Sequence, residues 1–203
     1  MQEGLKRFAS DENIIAINGY LDPNIKMNNL NPFLFNEFSA YGFASWYTKW
    51  DRFEKRRISN NYAAKVLSNR NLFKEHAKFS PNAKSYPCMA ESLYEAADIA
   101  TCLMMDIEGL WVLVPPISLT ANRGLDGSGL RSGINVTLQA AEPYHGKVNF
   151  PRTNNIEYFK YRDIKDVIGI NHKVSNWFSF IVYKYVPFGF RVLKRLRTIK
   201  KSL

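Results

Sequence analysis

Residues 90–116 read as a helix, a stop and a strand in immediate succession, which limits the chain to folds where helices and strands share a core. Residues 90–108 contain neither Gly nor Pro, and Leu93, Ala96, Ala97, Ala100, Leu103 and Met104 recur at helical spacing. Gly109 predicts the end of that helix. Trp111-Val-Leu-Val114 then reads as a strand, closed by Pro115-Pro116 because proline cannot donate to a ladder. A second apolar run, residues 13–18, is rich in β-branched residues and closed by Gly19, which predicts another buried strand. The expected fold class is α/β.

The remaining segments are less regular. Residues 4–12 read as the end of a helix, and 33–50 as a packed irregular wall dense in aromatics. Residues 51–76 are charged and helix-permissive, 80–87 have loop character, and 117–122 continue as a short extended piece. Gly124, Gly127, Gly129 and Gly133 mark a tightly turned loop.

Composition narrows the function classes. No stretch reaches the roughly 18 uninterrupted apolar residues of a spanning helix, and the longest candidate, 177–190, is broken by Lys184, Pro187 and Gly189. The first ten residues have no apolar run behind their charges, so they predict neither signal peptide nor anchor. Cys88 and Cys102 are too few for a disulfide framework and read as reduced thiols, which fits the cytoplasm. His76, His145 and His172 have no paired metal-ligand spacing, and Ser128 lacks the surroundings of a hydrolase nucleophile.

The net charge of +10 resides mostly in the tail. After Asp166 no acidic residue occurs, whereas Lys173, Lys184, Arg191, Lys194, Arg195, Arg197, Lys200 and Lys201 all do. A nearly neutral body argues against a nucleic-acid-binding face. In the tail Trp177, Phe178, Phe180, Ile181, Tyr183, Tyr185, Phe188 and Phe190 interleave with cations. That composition suits an anionic membrane surface, contacted through 173–201, or a terminal helix docked on the body with a solvated basic end.

Four segments together resemble glycosyltransferase family two, the GT-A enzymes that build bacterial surface polysaccharides. Ile15-Ala-Ile-Asn-Gly-Tyr20 is similar to a strand ending in Ser-Gly-Tyr. Within residues 38–51, Gly42, Ala44, Trp46, Trp50 and Asp51 match a Gly-Trp-Ala-Thr-Trp core with its following Trp and Asp, whereas Phe43 and Ser45 depart conservatively. Ala97-Asp98 stands where relatives have Trp-Asp. Residues 109–129 resemble the run of strand, Tyr-Pro, Ser-Leu, Asn-Ile-Gly and Asp-Gly-Ser-Gly; Leu130-Arg131 replaces the usual Thr-His.

The resemblance implies the distal, acceptor-side portion of a GT-A fold over 1–150, with a basic amphipathic extension over 151–203. It implies transfer of a sugar from a nucleotide donor to a glycan or lipid-linked acceptor, at the inner face of the cell membrane. Asp98 takes the place of the catalytic base, with Glu91 and Glu95 as substitutes. Trp46, Trp50 and Asp51 would contact substrate, as would Asn122, Asp126, Gly127 and Gly129 of the glycine loop. Trp46 and Trp50 serve equally well as core filler, and the loop as a solvated turn.

No Asp-x-Asp pair occurs in the 203 residues. That family uses such a pair to hold Mg2+ or Mn2+ on the donor diphosphate. The expectation is therefore a truncated or split enzyme, inactive alone, with no cofactor of its own and a separate donor-binding half. The rival expectation is a non-catalytic protein that binds glycan or a membrane surface.

Overall fold

A computed structural model describes residues 1–22, 25, 31–80, 82–121, 142–146, 148, 156–160 and 173–185. The chain forms two compact units, one from Met1–Lys55 with Glu108–Ile168 and one from Arg56–Ile107 with Gly169–Leu203. Among the described residues it is a mixed α/β protein, as the helix-and-strand patterning predicts.

Among its described residues the first unit holds a five-stranded mixed sheet. Its strands are β1 (Ile14–Asn18), β2 (Phe33–Phe35), β3 (Phe43–Ala44), β4 (Trp111–Val114) and β5 (Tyr158–Phe159), in the order β3-β1-β4-β2-β5. β1 runs parallel to β4, with Ala16 opposite Val112 and Ile17 opposite Leu113. β2 runs antiparallel to β4 and parallel to β5, while β3 runs antiparallel to β1.

Strands covered on both faces need no polar alternation, which is why β1 and β4 read as unbroken apolar runs. Every residue of β1 is buried. Ile14, Ile17, Leu34, Leu113 and Ile156 form a core cluster, with Leu5, Phe8, Trp46 and Trp111 packed against it. Each fully buried aliphatic side chain there contributes about 1.5–3 kcal/mol. The edge strands β3 and β5 are short and half-exposed, a form that discourages pairing with other chains. Helix α1 (Gln2–Arg7) precedes the sheet, and α2 (Tyr47–Ser59) starts in this unit and continues into the other.

The second unit is helical among its described residues. It contains α3 (Tyr62–Ser68), α4 (Arg70–Phe79), a 3-10 turn (Ala83–Ser85), α5 (Tyr86–Ala90), α6 (Ala97–Glu108) and α7 (Lys173–Tyr185). Asn61 caps α3 by accepting from Ala64 N, and Asn69 caps α4 by accepting from Asn71 N and Leu72 N. Gly109, at φ +67°, ends α6 in the left-handed conformation that favours glycine. Among the described residues no helix is long and apolar enough to cross a membrane.

Several local expectations require correction. The helix expected over 90–108 begins only at Ala97, because α5 ends at Ala90 and the chain turns at Ser92 (φ +53°). The loop expected over 80–87 contains the 3-10 turn and the start of α5. The irregular wall over 33–50 contains β2, β3 and the first turn of α2. Residues 117–121 form no strand, although Leu119 N donates to Gly19 O at 2.7 Å.

Candidate functional site

In the first unit, the carboxyl ends of the parallel strands β1 and β4 lie side by side, the position where open α/β sheets bind ligands. The segments after them are tied into one knot. Gly19 N donates to Gly42 O at 2.7 Å, and Thr120 Oγ1 donates to Tyr41 O at 2.7 Å. The Ser118 hydroxyl accepts from Leu21 N and donates to Leu21 O, both at 2.7 Å.

Glycine is a steric requirement here. A Cβ on Gly19 would stand 2.9 Å from Gly42 O, and one on Gly42 would stand 2.6 Å from Thr120 Cγ2. Gly42 also has φ +80°. Residues 15–20, 38–50 and 109–121, three of the four segments that carry the glycosyltransferase resemblance, therefore meet at one place.

Two polar side chains mark this end of the sheet. Asn18 is 2 % exposed; its Nδ2 donates to Glu37 O at 3.4 Å, while its buried Oδ1 has no hydrogen-bond partner among the described residues. A buried acceptor left unpaired costs about 1–3 kcal/mol, so it is a feature a ligand or water would relieve. Tyr20 meets Tyr41 edge-on at 5.2 Å. Burial pushes the Tyr20 hydroxyl up to about 12, and the charges of Asp22 and Tyr41 add to the effect.

The aromatic residues singled out in the sequence divide into two groups. The Trp46 indole N–H donates to Leu5 O at 3.0 Å and its ring packs on the core cluster, so Trp46 is occupied inside the unit. Trp50 is half-buried and lies 4.8 Å from the Phe43 ring and 5.5 Å from the Phe38 ring, forming a partly exposed patch. Asp51 pairs with Lys55 one helical turn on, at 2.7 Å. Asn122, Asp126, Gly127 and Gly129 lie outside the described residues, as does His172.

In the second unit, Asp98 is exposed in the first turn of α6, and its Oδ1 accepts from Ile99 N at 2.9 Å. A carboxylate there is favoured by the helix dipole and stands in water. A nearby open cleft of about 540 Å3 is lined by Arg57, Asn60, Tyr62, Ser92, Tyr94 and Glu95, among others, and not by Asp98. Of the three carboxylates considered, Glu95 is the one that lines the cleft.

Ser92 occupies the left-handed position that ends α5. Ser92 N donates to Met89 O at 3.0 Å and Leu93 N to Cys88 O at 2.8 Å, the paired bonds of a Schellman motif in which glycine is the usual residue.

Sequence reasoning missed a side-chain chain in the same unit. His76 Nε2 lies 3.0 Å from Asp106 Oδ2, and His76 Nδ1 lies 3.1 Å from the Tyr86 hydroxyl, which is 3.1 Å from Ser80 Oγ. Tyr86 is almost fully buried, so the chain ties α4, α5 and α6 together instead of facing a substrate. Asp106 is thirty residues from His76 and the two share no motif, so no local signal announces the pair.

Among the described residues no group of three His, Cys, Asp or Glu side chains could hold a metal ion. Comparison with known proteins gives no match to this chain, whether to a family model, a curated protein or a solved structure.

Proposed function

We propose that this chain is the acceptor-side portion of a GT-A sugar transferase. Its reaction would move a sugar from a nucleotide donor to a glycan or lipid-linked acceptor of a bacterial surface polysaccharide. The observation that carries the reading is the knot of Gly19, Gly42 and Thr120, which joins three motif segments far apart in sequence at the carboxyl ends of β1 and β4. Local sequence similarity by accident does not require the matching pieces to meet.

The aromatic patch of Trp50, Phe43 and Phe38 offers ring faces of the kind that stack on the C–H faces of sugars. For the base, the cleft residue Glu95 is better supported than Asp98, whose carboxylate is exposed and already engaged with Ile99 N. Asn122, Asp126, Gly127 and Gly129 keep the acceptor-loop role the resemblance implies. A divalent ion and donor-binding strands would be supplied outside these residues. A lipid-linked acceptor would place the protein in the cytoplasm, peripheral to the inner face of the cell membrane.

The exposed position of Asp98 favours a second reading, in which the chain binds glycan without turning it over. Calorimetry with nucleotide-sugars plus manganese, beside titration with oligosaccharide acceptors, tests the acceptor-side reading, and a transfer assay with a donor-binding half added separates it from the second. The acceptor-side reading expects saccharide binding without donor binding. Micromolar donor binding by the purified chain, or no saccharide binding at all, overturns it.

A further inference from the structure

The helix α7 has two opposed faces. On one, Asn176 is 1 % exposed and its Nδ2 donates to Ala77 O and Ser80 O, each at 3.0 Å. On the same side Phe180 is 7 % exposed and stacks on Phe73 at 4.3 Å, and Trp177 meets Phe73 edge-on at 5.5 Å. This face is anchored within the second unit.

The other face is apolar and open to water. Phe178 is 69 % exposed, Ile181 47 % and Tyr185 70 %. Their spacing of three and four residues puts them in one stripe, opposite Asn176 and Phe180 on the helical wheel. Polar residues normally occupy the solvent side of a docked helix, so a large aromatic, an isoleucine and a tyrosine in one row are unexpected there. Lys184 stands beside the stripe, its Nζ 5.6 Å from the Tyr185 ring. Downstream come Arg191, Lys194, Arg195, Arg197, Lys200 and Lys201, and no acid occurs anywhere after Asp166.

From this geometry we infer that Phe178, Ile181 and Tyr185 form a membrane-contact face, which seats α7 on a bilayer rich in anionic lipid while Asn176 and Phe180 hold the protein body to the helix. Charge decides between occupants. A second copy of this chain would bring its own acid-free basic tail against the first, and like charges would repel. An anionic lipid surface attracts the same cluster, and the apolar stripe then enters the headgroup region. A helix of 13 residues serves this role by lying along the interface. The inference gives the peripheral location proposed above a specific surface, and it does not require sugar transfer.

The test is flotation of the full chain with vesicles of phosphatidylcholine alone or with phosphatidylglycerol added, without glycan or nucleotide-sugar. Binding should require phosphatidylglycerol and should fall steeply between low and high salt. Phe178→Ser with Ile181→Ser should weaken binding about a hundredfold while leaving the thermal midpoint unchanged, because both side chains are exposed. Phe180→Ser should instead lower the midpoint, because it removes the anchor. Equal flotation of the double variant and the parent would overturn the inference. So would sedimentation showing that the stripe is buried in a dimer that ignores vesicles. Vesicle binding without any saccharide binding would sustain this inference and remove only the acceptor-side reading.

Discussion

Lys49 holds its ammonium 3.9 Å from the centre of the Trp46 ring, and together they join α2 to the amino-terminal segment. Lys49 is 5 % exposed and donates to Phe8 O at 3.0 Å and Asp11 O at 2.6 Å. Burial pushes its pKa down, while Glu12 and Asp11 oppose the shift. Lys49→Met keeps the apolar stem but removes the charged donor from both carbonyls, which are left with only their backbone bonds from Asp11 N and Ile14 N. It should cost about 3 kcal/mol, read as a lower urea midpoint with an unchanged slope. A loss under about 0.5 kcal/mol would mean that water replaces the ammonium without penalty.

Gly42 and Gly109 test two different reasons for glycine. Both have positive φ, but a Cβ on Gly109 meets nothing within 4 Å, whereas one on Gly42 strikes Thr120. Gly109→Ala should cost only the left-handed penalty, about 1 kcal/mol, and Gly42→Ala about 3 kcal/mol or more. Adding Thr120→Ser to Gly42→Ala should recover part of the difference, since Cγ2 is the nearest atom. Equal costs for the two alanines would show that the knot yields freely.

Ser92→Gly should make the protein more stable, by about 0.5–1 kcal/mol in thermal or urea unfolding. The Schellman geometry suits glycine, and serine pays the strain of φ +53°. Because Ser92 lines the cleft, the same variant examines its hydroxyl in a folded protein. A drop in saccharide affinity with a rise in stability would identify the strain as serving the site. A drop in stability would contradict the strain argument.

Tyr20 should make stability fall in alkali. Its folded-state pKa of about 12 lies above the ordinary 10.0, so the native chain keeps a proton that the unfolded chain releases. Its contribution is therefore complete below pH 10 and is lost as pH rises through about 12. Urea unfolding at pH 9 and pH 11 should show a steeper loss for the parent than for Tyr20→Phe. Parallel losses would show that Tyr20 is as exposed to water in the folded chain as in the unfolded one.

The sequence was most legible where burial is symmetrical. Ile14–Asn18 and Trp111–Val114 are inner strands, so their apolar runs needed no tertiary information to read. Phe33–Phe35 escaped notice because three residues carry no period, and pairing with Val112–Val114 and Tyr158–Phe159 makes them a strand. The break before α6 was hidden for a different reason. Ser92 takes a glycine's conformation without being glycine, so the helical pattern seemed continuous. Among site residues, Asp98 falls in a first helical turn only because α6 begins at Ala97 instead of at residue 90, and that start depends on how α5 and α6 are joined. The His76–Asp106 contact depends wholly on helix packing.

The parallel pairing of β1 with β4 has a consequence for how the chain is made. Ile14 finds its partner at Trp111, and everything from β2 to α6 is synthesised between them. A parallel pair closed over so long a loop forms late, because its chain entropy is spent before its contacts exist. On the ribosome, β1 emerges as five residues destined for full burial, with only two-residue β3 available to cover one edge. Residues 56–107 can meanwhile condense by local helix contacts. Until β4 appears, β1 is the segment most open to misassociation, and chaperone protection in the cell should fall there first.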